Sequence, residues 1–415
     1  MVNKRSERVF VIGVSGPNQT PKQMRISLEE MARLIHTAGG EVVGQVTQAM
    51  RRFDPATLVG PGKLEDIVEQ LSHMDVDMVA VDCPLTPVQF RNLEKECGVR
   101  VVDRTGVILD IFALHARSRA GKLQVEAAQL AWQLPRLTGK GKELGQQVGG
   151  YIGMRGPGET KLEVDRRRIR ERMTRLRRDL AELETERNAI RAKREATQIP
   201  VIALVGYTNA GKSTLLNRLT KSKALVADQL FATLDPLMRR LKLPSGRHVL
   251  ITDTVGFIRN LPHELIEAFN STFEEVARAD LLLHVVDASS PDAGQQFVTV
   301  KEVLWQLKMD ETPQLVVANK MDAARKRFKL WGEKAIPVSA VTGEGLHRLL
   351  RAIDDALVGD MTPMKLRIPY VASKSIPILY EHARVRKVAY RQKWVTVEVD
   401  VPDSLIAQFK PFLHN

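Results

Sequence analysis

The stretch VIALVGYTNAGKSTLL, residues 201–216, decides how this chain is read. Val201-Ile202-Ala203-Leu204-Val205 is an unbroken apolar run of the kind that forms a strand buried on both faces. It passes into Gly206-Tyr207-Thr208-Asn209-Ala210-Gly211-Lys212-Ser213, and a helix begins at Thr214-Leu215-Leu216. Strand, glycine-bracketed loop and helix, in that order, make a phosphate cradle, the P-loop. The glycines let backbone N–H groups turn inward around a β-phosphate, and the helix N-terminus adds positive potential. Lys212 brings a point charge to the β- and γ-phosphates, and the Ser213 hydroxyl is a candidate Mg²⁺ ligand.

A phosphate cradle does not choose a base. Further on, the apolar strand Gln314–Ala318 ends in Asn319-Lys320-Met321-Asp322. The Asp322 carboxylate can accept from N1–H and the N2 amine of guanine. Adenine has neither group and would leave the carboxylate unpaired, at a cost of roughly 1–3 kcal/mol. Asn319 is expected to tie this loop to the phosphate loop, and the Lys320 stem to lie over the base. Val338-Ser339-Ala340, followed by Val341, can offer an amide to guanine O6.

Between the two lies Leu250-Ile251-Thr252-Asp253-Thr254-Val255-Gly256, a strand ending in D-x-x-G. Asp253 is expected to reach Mg²⁺ through a water, and the Gly256 amide to sense a γ-phosphate. Phe231-Ala232-Thr233-Leu234-Asp235 sits where a first switch belongs, and position makes Thr233 the second protein ligand for Mg²⁺. GTP or GDP with Mg²⁺ is therefore the expected occupant. Lys212, Thr233 and Gly256 are the expected catalytic groups.

The remaining chain sets this module in context. With 415 residues and a prior of roughly 150 per domain, several units are expected. Residues 8–105 alternate short β-branched runs with amphipathic segments near 26–37, 63–73 and 86–96, which indicates a parallel α/β domain over 1–137. A long helical stretch is expected from Gly106 to about Leu134. The formal net charge of +13 favours a polyanionic partner. Two cysteines, Cys83 and Cys97, make no disulfide framework and suggest a reducing compartment. No window approaches the ~20 apolar residues of a membrane helix. The expected location is the cytoplasm, with contact at a membrane surface left open.

Residues 138–160 hold eight of the 27 glycines, too many for a stable helix or strand. Lys140, Lys142, Arg155 and Tyr151 give that loop charge and a stacking ring, so it reads equally as a linker or as a loop reaching nucleic acid. Residues 161–196 lack Pro and Gly and carry a seam of Leu162, Ile169, Met173, Leu176, Leu180, Leu183 and Ile190. A helical hairpin or a packing stripe fits it better than a dimer coiled coil, so 161–196 is expected to be a basic helical hairpin or coiled-coil segment in a monomer. Residues 161–180 hold nine Lys/Arg against four Asp/Glu. The nucleotide-binding domain is placed at 199–360, and a small α+β domain at 363–415.

The combination of GYTNAGKST, QLFATLD, DTVGFIRNLP and NKMD resembles the HflX family of translation-factor-related GTPases. The resemblance continues upstream through DRTGVILDIFALHARSRAGKLQVE and GGYIGMRGPGETKLEVDRRRIR, and so covers roughly residues 9–360. It implies a GTPase that binds the large (50S) ribosomal subunit, with members that split stalled 70S ribosomes. It also implies that the segment 138–196 probes 23S ribosomal RNA near the peptidyl-transferase region.

The position after Gly256, where many regulatory GTPases carry a water-orienting Gln, holds Phe257. Slow intrinsic hydrolysis accelerated by a partner is the expectation, with Arg259, Asn260, Arg239 and Arg240 as weaker candidates for helping it. Val59-Gly60-Pro61-Gly62-Lys63 reads as a turn opening a helix before it reads as a second nucleotide site. His115, His263 and His284 read as structural. Two other roles fit the same module: ribosome assembly, and control of a protease or membrane complex.

Overall fold

The computed structural model describes residues 6–17, 19–137, 161–195, 199–221, 230–231, 237–259, 262, 265, 273, 276–324, 334–357 and 361–414. The chain forms two compact units.

The first unit is built on a four-stranded parallel sheet. Its strands are β1 (Glu7–Ser15), β2 (Gly40–Ala49), β3 (Met78–Val81) and β4 (Arg100–Asp103), in the order β2-β1-β3-β4. Strand β1 is buried along most of its length while β2, at an edge, alternates, as crossover packing on both faces demands. Helices α1 (Pro21–Thr37), α2 (Pro61–Ser72) and α3 (Pro87–Cys97) connect the strands. α1 and α3 start with the same device: Thr20 and Thr86 each accept from the amide three residues on, whose Gln side chain reaches back, and Pro follows at the first helical position.

The expected long helical stretch is two helices, α4 (Arg104–His115) and α5 (Arg119–Gln133). Ala116 is extended and Ser118 caps α5 by accepting from Gly121 N, so the break has a local cause. The segment 161–196, expected as a hairpin, is a single helix, α6 (Lys161–Glu195). A hairpin needs a turn, and no residue between 161 and 195 is Gly or Pro. Leu176 of its apolar seam is fully buried, and Arg172 makes a two-pronged ion pair with Glu126 of α5 at 2.6 and 2.8 Å. The glycine-rich 138–160 lies outside the described residues.

The C-terminal ends of these strands are closed by charge pairs internal to the unit. Arg104 is fully buried between Asp82, at 2.6 Å, and Glu30. Asp103 caps α4 by accepting from Gly106 N, and also accepts from Leu85 N, Trp132 Nε1 and Arg136. Burial raises the Asp82 carboxyl above its usual range, with Arg104 opposing the shift. Cys83 is pushed up to about 12 and Cys97 to about 11, chiefly by burial, so both are poor nucleophiles. Gly60 is an extended N-cap and Pro61 opens α2, so the 59–63 motif folds as a turn into a helix.

The second unit carries a six-stranded sheet ordered β10-β9-β8-β5-β7-β6. Its strands are β5 (Val201–Gly206), β6 (Leu237–Lys242), β7 (His248–Asp253), β8 (Leu281–Asp287), β9 (Gln314–Asn319) and β10 (Ala335–Pro337). Only the β6–β7 pair is antiparallel. Helices α7 (Lys212–Thr220), α8 (Ala293–Gln306) and α9 (Leu346–Ala356) pack against it, with Leu204, Leu216, Val249, Leu283, Val317 and Leu349 in the core. The chain closes with an antiparallel sheet ordered β11-β13-β12, from β11 (Met361–Pro369), β12 (Arg384–Tyr390) and β13 (Trp394–Pro402). Helices α10 (Ile376–His382) and α11 (Asp403–Phe409) complete the α+β domain expected there. Among the described residues no helix is long and apolar enough to cross a membrane.

Candidate nucleotide-binding site

Parallel strands direct their C-terminal ends to one edge of a sheet, and at such an edge α/β proteins bind ligands. In the second unit that edge gathers the loops after β5, β7, β9 and β10. β5 lies at the centre, with β7 on one side and β8 on the other.

The loop after β5 closes as its residue types require. Gly206 has φ +153°, and a Cβ there would come within 2.3 Å of the Val285 carbonyl oxygen. Gly211 has φ +86°, and its Cβ would fall 2.4 Å from Asn319 Nδ2. Asn209 takes a left-handed conformation, which asparagine tolerates better than most residues. α7 therefore starts at Lys212 with its first amides directed into the loop. Lys212 is buried, and its Nζ donates to the carbonyls of Gly206 (3.1 Å) and Tyr207 (2.9 Å). Burial lowers its pKa to about 8, with the charge of Asp253 opposing the shift.

The D-x-x-G segment is bound to this loop. Asp253 Oδ2 accepts from the Ser213 hydroxyl at 2.5 Å, so the two expected metal-facing groups meet. Thr254 is buried, and its hydroxyl donates to the Leu204 carbonyl at 2.6 Å, pinning the strand end. Gly256 approaches so closely that a Cβ would sit 2.7 Å from Thr208 Cα and 3.0 Å from Lys212 Nζ. Thr208 N donates to Phe257 O (2.7 Å), Phe257 N to Gly206 O (3.1 Å), and Arg259 N to the Tyr207 hydroxyl (2.9 Å). Any displacement of Gly256 is thus felt by the phosphate loop. The Phe257 ring is fully buried and stacked on Phe273, with centroids 5.7 Å apart.

The base-reading loops are joined through one residue. Asn319 Nδ2 donates to Ala210 O (3.0 Å), and its Oδ1 accepts from Ala340 N (3.1 Å). It ties the N-K-M-D loop to the phosphate loop, as expected of it, and also to the Ser339–Val341 loop, a link the motifs did not suggest. Lys320 adopts φ +61° and pairs with Asp287 at 2.8 Å. Asp322 Oδ1 accepts from the Ser339 hydroxyl, which orients the carboxylate. The Ser339 amide donates to Glu344 O and the Ala340 amide to Asn319. Val341 is the exposed member of this trio, 68% exposed, and no such partner for its amide occurs among the described residues.

Other expected residues fall elsewhere. Ala232, Thr233, Leu234 and Asp235 lie outside the described residues, as do Asn260 and His263. Phe231 clusters with the first unit, where its ring meets Phe112 edge-on at 4.8 Å, so its side chain is committed to packing. Arg239 stands exposed on the edge strand β6. His284 is buried and stacked on Phe297 at 4.6 Å; burial lowers its pKa to about 3, so it stays neutral. Motif reading missed the Ser339–Asp322 and Tyr207–Arg259 bonds, whose partners lie 17 and 52 residues apart.

Four family models match the chain in succession. Residues 25–113 match a GTP-binding GTPase N-terminal domain and 115–194 the GTP-binding GTPase middle region. Residues 201–320 match a 50S ribosome-binding GTPase, and 327–404 an HflX C-terminal domain. The GTPase HflX of Caldanaerobacter subterraneus subsp. tengcongensis is 48% identical over 413 residues, which cover 100% of this chain and 95% of that protein. That of Lacrimispora saccharolytica is 42% identical over 97% of this chain and 95% of its own. The GTPase HflX of Escherichia coli (strain K12) is 42% identical over 82% of each chain.

Proposed function

The chain belongs to the HflX family of P-loop GTPases and hydrolyses GTP, and we propose that it does so as a monomer on the large ribosomal subunit, where the GTP-bound form splits stalled 70S ribosomes.

The observation that carries this reading is Phe257. Its ring is fully buried against Phe273, so the side chain after Gly256 cannot orient an attacking water. Hydrolysis then depends on a partner to complete the site. A family model described as a 50S ribosome-binding GTPase matches residues 201–320, which supports the large subunit as that partner. Arg170, Arg175 and Arg177 on α6 stand exposed, as phosphate-contacting groups must, and support contact of 138–196 with 23S ribosomal RNA.

This chain's own residues perform the remaining steps. Asp322, held by Ser339, accepts from the guanine edge, and the Lys320 stem covers the base. The phosphate-loop amides and Lys212 bind the β- and γ-phosphates. Ser213 and Thr233 would hold a Mg²⁺ ion, with Asp253, which accepts from the Ser213 hydroxyl, supporting them. These are the hard oxygen donors that ion requires, and the ion neutralises charge on the phosphates. Gly256 senses the γ-phosphate, and its contact with Thr208 passes the change to the phosphate loop.

The test is a sucrose gradient of 70S ribosomes with the protein and GTP, a non-hydrolysable analogue or GDP. GTP and the analogue are expected to convert 70S to subunits, with the protein on 50S; GDP leaves 70S intact. Added 50S subunits are expected to raise GTP turnover by orders of magnitude. Binding confined to immature 50S particles would point to assembly, and no ribosome binding at all to a role with a protease or membrane complex.

A further inference from the structure

The C-terminal sheet has one face in a core and one in the open. Strand alternation sends Met364, Leu366 and Ile368 of β11 and Val395, Val397 and Val399 of β13 inward, against Leu379 of α10 and Phe409 of α11. The same alternation places a different chemistry on the other face. Pairing registers set Lys365, Glu398 and Lys387 in one row across the three strands, and Arg367, Thr396 and Ala389 in the next. Trp394 follows opposite Pro369, and the Arg367 guanidinium lies over its ring, 5.0 Å from the centroid. Arg391 closes this end: its amide donates to Trp394 O, and its carbonyl accepts from the Tyr370 hydroxyl. The side chains of Lys365, Arg367, Lys387, Arg391, Trp394 and Glu398 line a depression of about 430 Å³.

Four cations border that depression against one carboxylate, Glu398, which already lies 3.6 Å from Lys365. A solvated charged face needs neither a concavity nor an aromatic ring. Here both sit among the cations, with a guanidinium already lying over the indole ring. Phosphates on a cationic rim and bases on π-faces are what a single strand of nucleic acid asks of a sheet. An acidic peptide would match the charge and leave the indole ring unused.

We propose that this open sheet face binds single-stranded RNA, with phosphates on Arg367, Lys387 and Arg391 and a base against the Arg367–Trp394 pair. The proposal rests on this face alone and not on the reading of the nucleotide site or of helix α6.

The experiment is fluorescence anisotropy of a labelled ten-nucleotide single-stranded RNA with the full chain, without ribosomes or guanine nucleotide. The double variant Arg367→Glu/Lys387→Glu is expected to weaken binding at least about tenfold and to flatten the salt dependence by roughly the 1.4 that two lost phosphate contacts predict. Trp394→Leu is expected to weaken binding roughly tenfold with the salt slope unchanged. Arg91→Glu/Lys95→Glu, at two exposed positions of α3, makes the same change in net charge and serves as the control. Equal weakening by both charge reversals, or unchanged binding in the sheet variants, would overturn the proposal. So would a polyglutamate peptide that binds as tightly and loses affinity with the same variants, since the surface would then be one for acidic protein. Because no ribosome is present, failure here leaves the ribosome-splitting reading to its own gradient test.

Discussion

Two buried cations, one in each unit, stand beside the C-terminal ends of parallel strands and meet opposite fates. Arg104 follows β4 and is enclosed by the carboxylates of Asp82 and Glu30. Lys212 follows the β5 loop and is held by two backbone carbonyls. The first charge is neutralised within the fold and leaves nothing for a ligand. The second is kept in place with its compensation incomplete, and its lowered pKa reports that deficit. The same edge of an α/β sheet thus serves structure in one unit and chemistry in the other. The distinguishing feature is whether a carboxylate of the same unit has answered the charge.

The largest effect is expected where compensation is complete. Arg104→Ala strands two buried carboxylates and should cost the first unit about 3–5 kcal/mol in denaturant unfolding. GTP affinity of the surviving folded protein should be unchanged. A comparable loss of GTP affinity would erase the contrast between the two sites.

A smaller effect sharpens the other half. Unfolded, Lys212 keeps its proton to its ordinary value of 10.5, but folded only to about 8. Between those values the unfolded chain binds more protons, so this residue alone makes stability rise with pH across that window. A bound polyphosphate reverses the deficit and restores the ammonium. Nucleotide binding should therefore take up a proton, close to one at about pH 9 and near none at about pH 7. Calorimetry in two buffers of different ionisation enthalpy measures that number. Equal uptake at both pH values would mean that Lys212 is not the group facing the phosphates.

The sequence disclosed these two sites unequally. The phosphate loop, D-x-x-G and N-K-M-D were legible because each function is written in consecutive residues whose backbone does the work, and the strands before them are short apolar runs. Asn319 as the tie to the phosphate loop followed from its place in such a run. The Arg104 cluster was not legible, because Glu30 lies 74 residues away and only folding brings it near. Phe257 could be read as a missing Gln, but its full burial against Phe273 could not. The single helix 161–195 was readable from the absence of Gly and Pro, yet an apolar seam is equally compatible with a hairpin, because spacing alone does not say where a helix ends. The open face of the C-terminal sheet appeared in the sequence only as nine Lys/Arg against four Asp/Glu; strand register was needed to assemble it.

The central claim is that Asp322, oriented by Ser339, selects guanine by accepting from its N1–H and N2 amine. Asp322→Asn replaces an acceptor pair by a group that can donate to the O2 carbonyl of xanthine. The account predicts that calorimetry will find GTP affinity lowered at least about tenfold and XTP affinity raised above it. An Asp322→Asn protein that still prefers GTP over XTP by the same margin as the parent would contradict it.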